Sequence, residues 1–195
     1  VLGGVLEQQG LFEAALEEYQ KAAELAPTDA EPRLRQGRVL RWLERHQEAQ
    51  ESLEAALGLI PELAPAHHEL GLSLLAQERP AEALAAFRQA LALNPEEATH
   101  ALEAGRALRH LGRYDEAAAE LEEALRLRPA VASIYAELGT VYAARGRLED
   151  ALAQHEMAVR LEPQNAYYHR ALGQALAQVS RPEEAAAALG QALHL

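Results

Sequence analysis

The side chains with the greatest capacity for chemistry in this sequence are its histidines and its glutamate pairs. Eight histidines are present, but only His67 and His68 are adjacent, and neighbouring positions on a helix point in different directions. His68 and Glu103 are the candidates for a metal site, although solvated or packed histidines are the better interpretation. The glutamate pairs are typical of solvated charges on helix surfaces, and they occupy positions 17–18, 96–97, 122–123 and 183–184. We therefore predict no catalytic residue, no metal and no cofactor.

The signatures of nucleophilic, nucleotide-binding and zinc chemistry do not occur in the sequence. It has no G-x-S-x-G, no G-x-x-x-x-G-K-[ST], no G-x-G-x-x-G and no H-E-x-x-H. It also has no cysteine, which excludes a disulfide, a thiolate nucleophile and a thiolate zinc site. Because catalysis requires reactive groups held together in a cleft, we predict that the protein is not an enzyme.

Composition limits both the fold class and the partners. The 195 residues are 49% hydrophobic and only 5% aromatic, and most of the apolar residues are Ala and Leu, which favour helices. The formal net charge of -12 argues against nucleic acid and anionic membrane surfaces as partners. No apolar stretch approaches the roughly 18 residues of a spanning helix, so we predict a soluble chain, in the cytoplasm or the periplasm, without direct membrane insertion.

Four rows of residues repeat along the chain with a constant step of 34 positions. The proline row is Pro27, Pro61, Pro95, Pro129 and Pro163. The glycine row is Gly3, Gly37, Gly71, Gly105, Gly139 and Gly173. The two alanine rows are Ala15, Ala49, Ala83, Ala117, Ala151 and Ala185, and then Ala22, Ala56, Ala90, Ala124, Ala158 and Ala192. A fixed period of this length indicates a repeat architecture.

Each row has a structural role that indicates two antiparallel helices per repeat. Proline cannot continue a helix, so its row ends the second helix of each repeat. The glycine row lies inside each first helix at a cost of roughly 1 kcal/mol relative to Ala, which indicates close contact with a neighbouring helix. Gly10, Gly112 and Gly146 mark turns between the helices of a pair. The predicted first helices are 1–10, 30–44, 64–77, 98–111, 132–145 and 166–179, and the predicted second helices are 13–26, 47–60, 81–93, 115–127, 149–161 and 183–194.

These rows resemble the tetratricopeptide repeat over the whole chain. The resemblance is carried by Leu2-Gly3 with Leu6, Leu70-Gly71 with Leu74, Leu138-Gly139 with Tyr142 and Leu172-Gly173 with Leu176, each followed by the alanine rows and the proline row. It implies an all-α, right-handed superhelical solenoid with repeats 1–29 (partial), 30–63, 64–97, 98–131, 132–165 and 166–195 (partial). The sequence departs from the pattern at Gln36 and Ala104, which replace the leucine before glycine. It departs again at His155, which takes the position of Tyr19 and Phe87 and is predicted to be a partly buried packing residue.

Both terminal repeats are incomplete and neither carries a polar cap. We therefore expect a fragment of a longer array, or an array whose ends are covered by additional chain or by a partner. The Arg- and Ala-rich composition favours a bacterial origin. In the family that the sequence resembles, the first helices line a concave face that binds extended peptides or partner helices. Carried onto this sequence, that face predicts partner-binding residues at Arg35, Arg38, Arg41, Trp42, His68, Leu72, Leu75, Arg106, Arg109, His110, Thr140, Tyr167 and Arg170.

The function predicted from this resemblance is a protein-protein interaction scaffold that binds a peptide or protein segment in its concave groove. Arginines outnumber glutamates among the predicted positions, which favours an acidic segment with apolar anchors as the partner. The alternative is that neighbouring glutamates neutralise these arginines. Three other roles stay open: an accessory region of a larger enzyme such as a glycosyltransferase or protease, an envelope polysaccharide-export or lipoprotein adaptor, and a self-association module that uses uncapped ends.

Overall fold

The structure, a computed structural model, describes residues 2–195, and within them the regular elements are helices joined by short turns. The first helices of the pairs are α1 Leu2–Gln8, α3 Ala30–Trp42, α5 Ala64–Ala76, α7 Ala98–His110, α9 Ala132–Ala144 and α11 Ala166–Gln178. The second helices are α2 Phe12–Leu25, α4 His46–Leu59, α6 Pro80–Leu93, α8 Tyr114–Leu127, α10 Leu148–Leu161 and α12 Pro182–His194. The predicted all-α repeat fold is therefore confirmed.

The helices form two compact units. The first unit extends to Glu96 and contains α1 to α6, and the second spans Glu97–Leu195 and contains α7 to α12. Within each unit, a first helix packs against the second helix of its own pair and against the second helix of the pair before it. Successive first helices also touch, namely α3 with α5 in the first unit, and α7 with α9 and α9 with α11 in the second.

The glycine row lets a large side chain of the second helix lie directly on the first. A Cβ atom added to Gly71 would lie 2.5 Å from the Phe87 ring, and one added to Gly105 would lie 2.7 Å from Cγ of Leu121. Real Cβ atoms almost never come this close, so a side chain at either position would force the Phe87 ring or Leu121 to move. The predicted close contact is confirmed, and the contacting atoms belong mainly to a side chain of the partner helix.

The alanine rows form the centre of the packed layers. Members of the first row are fully buried in five pairs, at Ala15, Ala49, Ala83, Ala117 and Ala151. Members of the second row are fully buried at Ala56, Ala90 and Ala124. Because both rows face inward with small side chains, adjacent helices approach closely and larger leucines fill the remaining space.

The turns inside the pairs require a left-handed residue at one position. Gly10, Gly112 and Gly146 occupy it with φ of 74°, 70° and 74°. In the other three pairs a residue with a side chain takes the same conformation, with φ of 60° at Glu44, 58° at Glu78 and 60° at Ser180. The predicted glycine turns are thus confirmed, and the same turn forms without glycine at some local strain.

A fifth row of residues, in addition to the four predicted from the sequence, lies at the start of the second helices. An arginine precedes five of these helices and pairs with an acidic residue three positions later, at distances of 2.6–2.7 Å in Arg45–Glu48, Arg79–Glu82, Arg113–Glu116, Arg147–Asp150 and Arg181–Glu184. The arginine hydrogen bond lowers the pKa of Glu48, Glu82 and Glu184. Acidic residues in a first helical turn also interact favourably with the helix dipole, so this row supports the turn.

Candidate functional site

The thirteen residues predicted to bind a partner all lie on first helices. Seven belong to α3 and α5 in the first unit, and six belong to α7, α9 and α11 in the second. Four of them are exposed, namely Trp42, His110, Tyr167 and Arg170, whereas the others are half-buried.

In the first unit, Arg38 forms an ion pair with Glu7. Its guanidinium donates to the Glu7 carboxylate, which also accepts a hydrogen bond of 2.7 Å from the hydroxyl of Tyr19. Burial, reinforced by the bond to Glu7, raises the pKa of Tyr19 to about 12. Arg38 also lies 5.3 Å from the ring of Trp42, which packs against Phe12 at the same centroid distance of 5.3 Å. This group ties the first pair of helices to the second.

Arg41 and Arg35 are also paired with carboxylates. Arg41 donates from Nε to Glu69 on the next first helix at 2.8 Å. Arg35 pairs with Glu31 on its own helix at 2.6 Å. Among the other predicted residues of this unit, the His68 ring lies 5.7 Å from the Phe87 ring, and Leu72 and Leu75 are half-buried on α5.

In the second unit, one buried carboxylate holds two arginines. Glu137 of α9 accepts from Nε of Arg106 at 3.0 Å and from Nε of Arg109 at 3.1 Å, both of which lie on α7. Arg106 also donates to Glu103 at 2.8 Å. Glu103 and Glu137 are each 8% exposed, so this group is largely withdrawn from water. Glu103 and Glu137 therefore balance the charges of Arg106 and Arg109, as in the alternative that neighbouring glutamates neutralise the predicted arginines.

The arrangement changes between α9 and α11. A cleft of about 240 Å³ opens there, and its walls include Thr140, His155, Arg170, Gln174 and Gln178. The hydroxyl of Thr140 donates to the carbonyl oxygen of Ala136 at 3.0 Å. We call this space the Arg170 cleft. Arg170 has no ion pair within residues 2–195, and its guanidinium instead lies 5.5 Å from the ring of Tyr167.

A second, apolar cleft adjoins the first. It has a volume of about 500 Å³ and is lined by Ala166, Tyr167, Arg170, Leu189, Ala192 and Leu193. We call it the Leu189 cleft. Tyr167 and Arg170 line both clefts, so the guanidinium of Arg170 lies between the polar Arg170 cleft and the apolar Leu189 cleft. The apolar residues of this cleft on α12 were not predicted, because Leu189 belongs to a row that packs inward in the other pairs.

His155 is a buried histidine on α10 beside the Arg170 cleft. It is 5% exposed, its ring lies under Gly139, and its Nδ1 has no hydrogen-bond partner. Burial lowers its pKa to about 4, so the ring is neutral at neutral pH. The predicted packing role agrees with this position, although the residue is more deeply buried than predicted.

The histidines and carboxylates of the described residues do not form a metal site. Residues 2–195 contain no group of three or more His, Asp or Glu side chains placed to hold a metal ion. Five carboxylates of the first helices accept hydrogen bonds from arginines, namely Glu7, Glu31, Glu69, Glu103 and Glu137. Within residues 2–195, Arg33 and Arg170 are first-helix arginines without a carboxylate partner.

The chain belongs to the tetratricopeptide repeat family. Sequence models of this repeat match residues 1–29, 28–96, 68–132 and 108–176. No curated protein sequence matched the chain. No helix within residues 2–195 has both the length and the apolar character needed to cross a membrane.

Solved structures share the fold at low sequence identity. PilW, described as a widely conserved type IV pilus biogenesis factor, is 22% identical with a TM-score of 0.90, and the match covers 97% of this chain and 88% of that chain. TTC0263, a thermophilic TPR protein of Thermus thermophilus, is 26% identical with a TM-score of 0.73 and coverages of 90% and 96%. YrrB, described as a TPR protein with an unusual peptide-binding site, is 24% identical with a TM-score of 0.71 and covers 92% of each chain.

Proposed function

We propose that this chain is a non-catalytic scaffold that binds a peptide or protein segment along the first-helix face that the repeat pattern predicts to be concave. The observation that carries the proposal is the exposed surface of the first helices, where Trp42, His110, Tyr167 and Arg170 face solvent. The alanine rows of the second helices are mostly buried, and their exposed leucines, such as Leu25, Leu59 and Leu93, lack the hydrogen-bonding groups of these four side chains.

Two further facts support a binding role. Exposed tyrosine, tryptophan and arginine side chains are the types that contribute most to protein interfaces, and Trp42, Tyr167 and Arg170 are such residues. YrrB, which has the same fold, is described as having a peptide-binding site. The roles as an accessory region of an enzyme, as an envelope adaptor and as a self-association module stay predictions.

The proposal is tested by selecting binders from a random peptide display library with the purified chain. A photo-reactive phenylalanine is placed at Trp42 or Tyr167 on first helices and, as matched controls, at the exposed positions Lys21 or Arg160 on second helices. We expect selected peptides to cross-link at the first-helix positions and not at the controls. Cross-links confined to the second helices, or a library that yields no binder, would overturn the proposal.

A further inference from the structure

The negative charge of the chain is concentrated on the second helices. Within residues 2–195, these helices contain eighteen Asp and Glu residues but only four Lys and Arg residues. The first helices contain five acidic and seven basic residues, and the turns between helices contain seven of each. The net charge of -12 therefore comes from the second helices, and a partner that binds them needs positive charge.

A groove lies in this acidic surface, between the second helices α4 and α6. Its volume is about 360 Å³, and we call it the Ala86 groove. The apolar part of its lining is formed mainly by Leu57 of α4, Leu70 and Leu74 of α5, and Ala86 of α6. The residues that line it include no Lys or Arg. Its walls belong to the second and third helix pairs, so other pairs precede and follow them along the chain.

The equivalent place in the second unit is occupied by the chain itself. Two repeats after Leu74, the same position carries Tyr142, and its hydroxyl donates to Glu122 at 2.8 Å. Glu122 in turn is the equivalent of Glu54, which lines the Ala86 groove. In the second unit, an aromatic side chain therefore lies beside this carboxylate and binds it. In the first unit, Leu74 is smaller and has no hydrogen-bond donor, and the groove beside Glu54 is open.

Glu54 is an exposed carboxylate on the α4 wall of the groove. It accepts a hydrogen bond of 2.7 Å from the amide of Gln50 and forms no ion pair within residues 2–195. Arg79 donates instead to Gln50 at 2.7 Å and to Glu82 at 2.6 Å. Because a neutral amide leaves the charge of Glu54 uncompensated, a cation of a partner would gain a charge-assisted hydrogen bond there.

We propose that the Ala86 groove binds a basic segment of a partner protein. An apolar side chain of that segment enters the groove over Leu74 and Ala86, and a neighbouring Arg or Lys pairs with Glu54. The acidic second helices favour such a segment over a second copy of this chain, whose own second helices carry the same excess of negative charge. The groove goes beyond the proposed function, because it adds a second binding surface, between second helices.

The test uses fluorescein-labelled peptides with one Leu and one Arg in a Gly/Ser background, at every spacing from one to four residues. In the comparison peptides citrulline replaces Arg, which keeps the shape of the side chain and removes its charge. Fluorescence anisotropy at low ionic strength should show the tightest Arg peptide binding about fivefold more tightly than its citrulline counterpart. Glu54→Gln should abolish that preference. The matched control Glu24→Gln removes another exposed carboxylate, on α2, and should leave it intact.

A second variant fills the groove instead of removing the carboxylate. Ala86→Gln introduces the residue that the second unit has at Gln154, and we expect it to weaken binding about tenfold or more while helical content is retained. The matched control Ala55→Gln adds the same side chain at an exposed alanine of α4 outside the groove, and should bind as the wild type does. Photo-leucine in place of the peptide Leu should cross-link to residues that line the groove, as identified by mass spectrometry.

Several results would overturn the proposal. They are equal binding of the Arg and citrulline peptides, retained binding by the folded Ala86→Gln variant, cross-links confined to residues outside the groove, and a peptide series that does not bind at all. A concentration-dependent dimer that Ala86→Gln abolishes would identify a second copy as the occupant, and it would overturn the proposal too. The proposed function would stand in each case, because these variants leave the exposed residues Trp42, His110, Tyr167 and Arg170 unchanged.

Discussion

Two neighbouring contacts in the second unit use the same backbone positions for different purposes. Between α7 and α9, Arg109 and Glu137 fill the space with an ion pair that joins the two helices. Between α9 and α11, Ala143 and Ala171 leave a cleft beside Arg170. The comparison teaches that these positions do not determine the fold, since α9 packs on both neighbours. They determine whether the surface between first helices is closed or available to a ligand.

The largest expected effect comes from adding a side chain at Gly105, the row glycine of α7, where an ion pair closes the contact with α9. Gly105→Leu should destabilise the chain by about 3 kcal/mol, because Leu121 is fully buried and cannot move aside. Gly173→Leu should cost only about 1 kcal/mol, because Leu189 lies at the same 2.7 Å from the added Cβ but is 39% exposed. Urea denaturation followed by circular dichroism measures both values. Equal losses would show that Leu189 packs on Gly173 as firmly as Leu121 packs on Gly105.

The next effect concerns the carboxylate that holds two arginines. Glu137→Gln should cost about 2 kcal/mol in the free energy of unfolding, since Arg106 and Arg109 lose their shared partner while they remain about one-third exposed or less. The control Glu184→Gln breaks an exposed pair with Arg181 and should shift the midpoint of urea unfolding much less. If the two variants shifted it equally, the ion pair would not distinguish the two contacts.

The free energy of unfolding should depend on pH through His155, which lies in the wall of the Arg170 cleft. Its pKa is about 4 in the folded state against 6.5 ordinarily, because burial disfavours the charged ring. Stability is therefore complete above pH 6.5 and decreases as the pH falls towards 4, by about 1.4 kcal/mol between pH 7.5 and 5.5. His155→Leu introduces the residue found at Leu53 and Leu121, and its free energy of unfolding should lack this component. Parallel pH profiles for the two proteins would contradict the assignment.

The smallest effect concerns the turn that follows α11. Ser180 adopts φ of 60° where Gly112 and Gly146 serve the two preceding turns, so Ser180→Gly should stabilise the chain by about 1 kcal/mol. The reciprocal Gly146→Ser should destabilise it by a similar amount. A shift of the melting temperature in opposite directions for the two variants is the expected result, and shifts of the same sign would contradict it.

The sequence predicted the helices well because their ends depend on local residues. Proline follows five of the second helices and a left-handed residue follows each first helix, so most observed bounds lie within one or two residues of the predicted ones. The contacts of the arginines were not predicted, because Arg109 and Glu137 are 28 residues apart and meet only once the helix pairs are stacked. A signal was present, since Arg41 and Glu69 have the same spacing.

The candidate site was predicted only in part for a related reason. Tyr167 and Arg170 were assigned to the binding face by their helical positions, as were the other arginines. Arg170 differs from most of the other arginines because neighbouring helices supply those arginines with carboxylate partners. It differs also because Ala143 and Ala171 leave a cleft, and an alanine gives no signal of this in the sequence.

The two contacts of α9 should also respond differently to salt. In the described residues, the contact of α9 with α7 contains the ion pairs of Glu137, whereas the residues around α11 form an apolar cluster of Leu152, Ala175, Leu176, Ala185 and Ala188. Because salt screens ion pairs but not apolar packing, raising the ionic strength should loosen α7 from α9 more than α9 from α11.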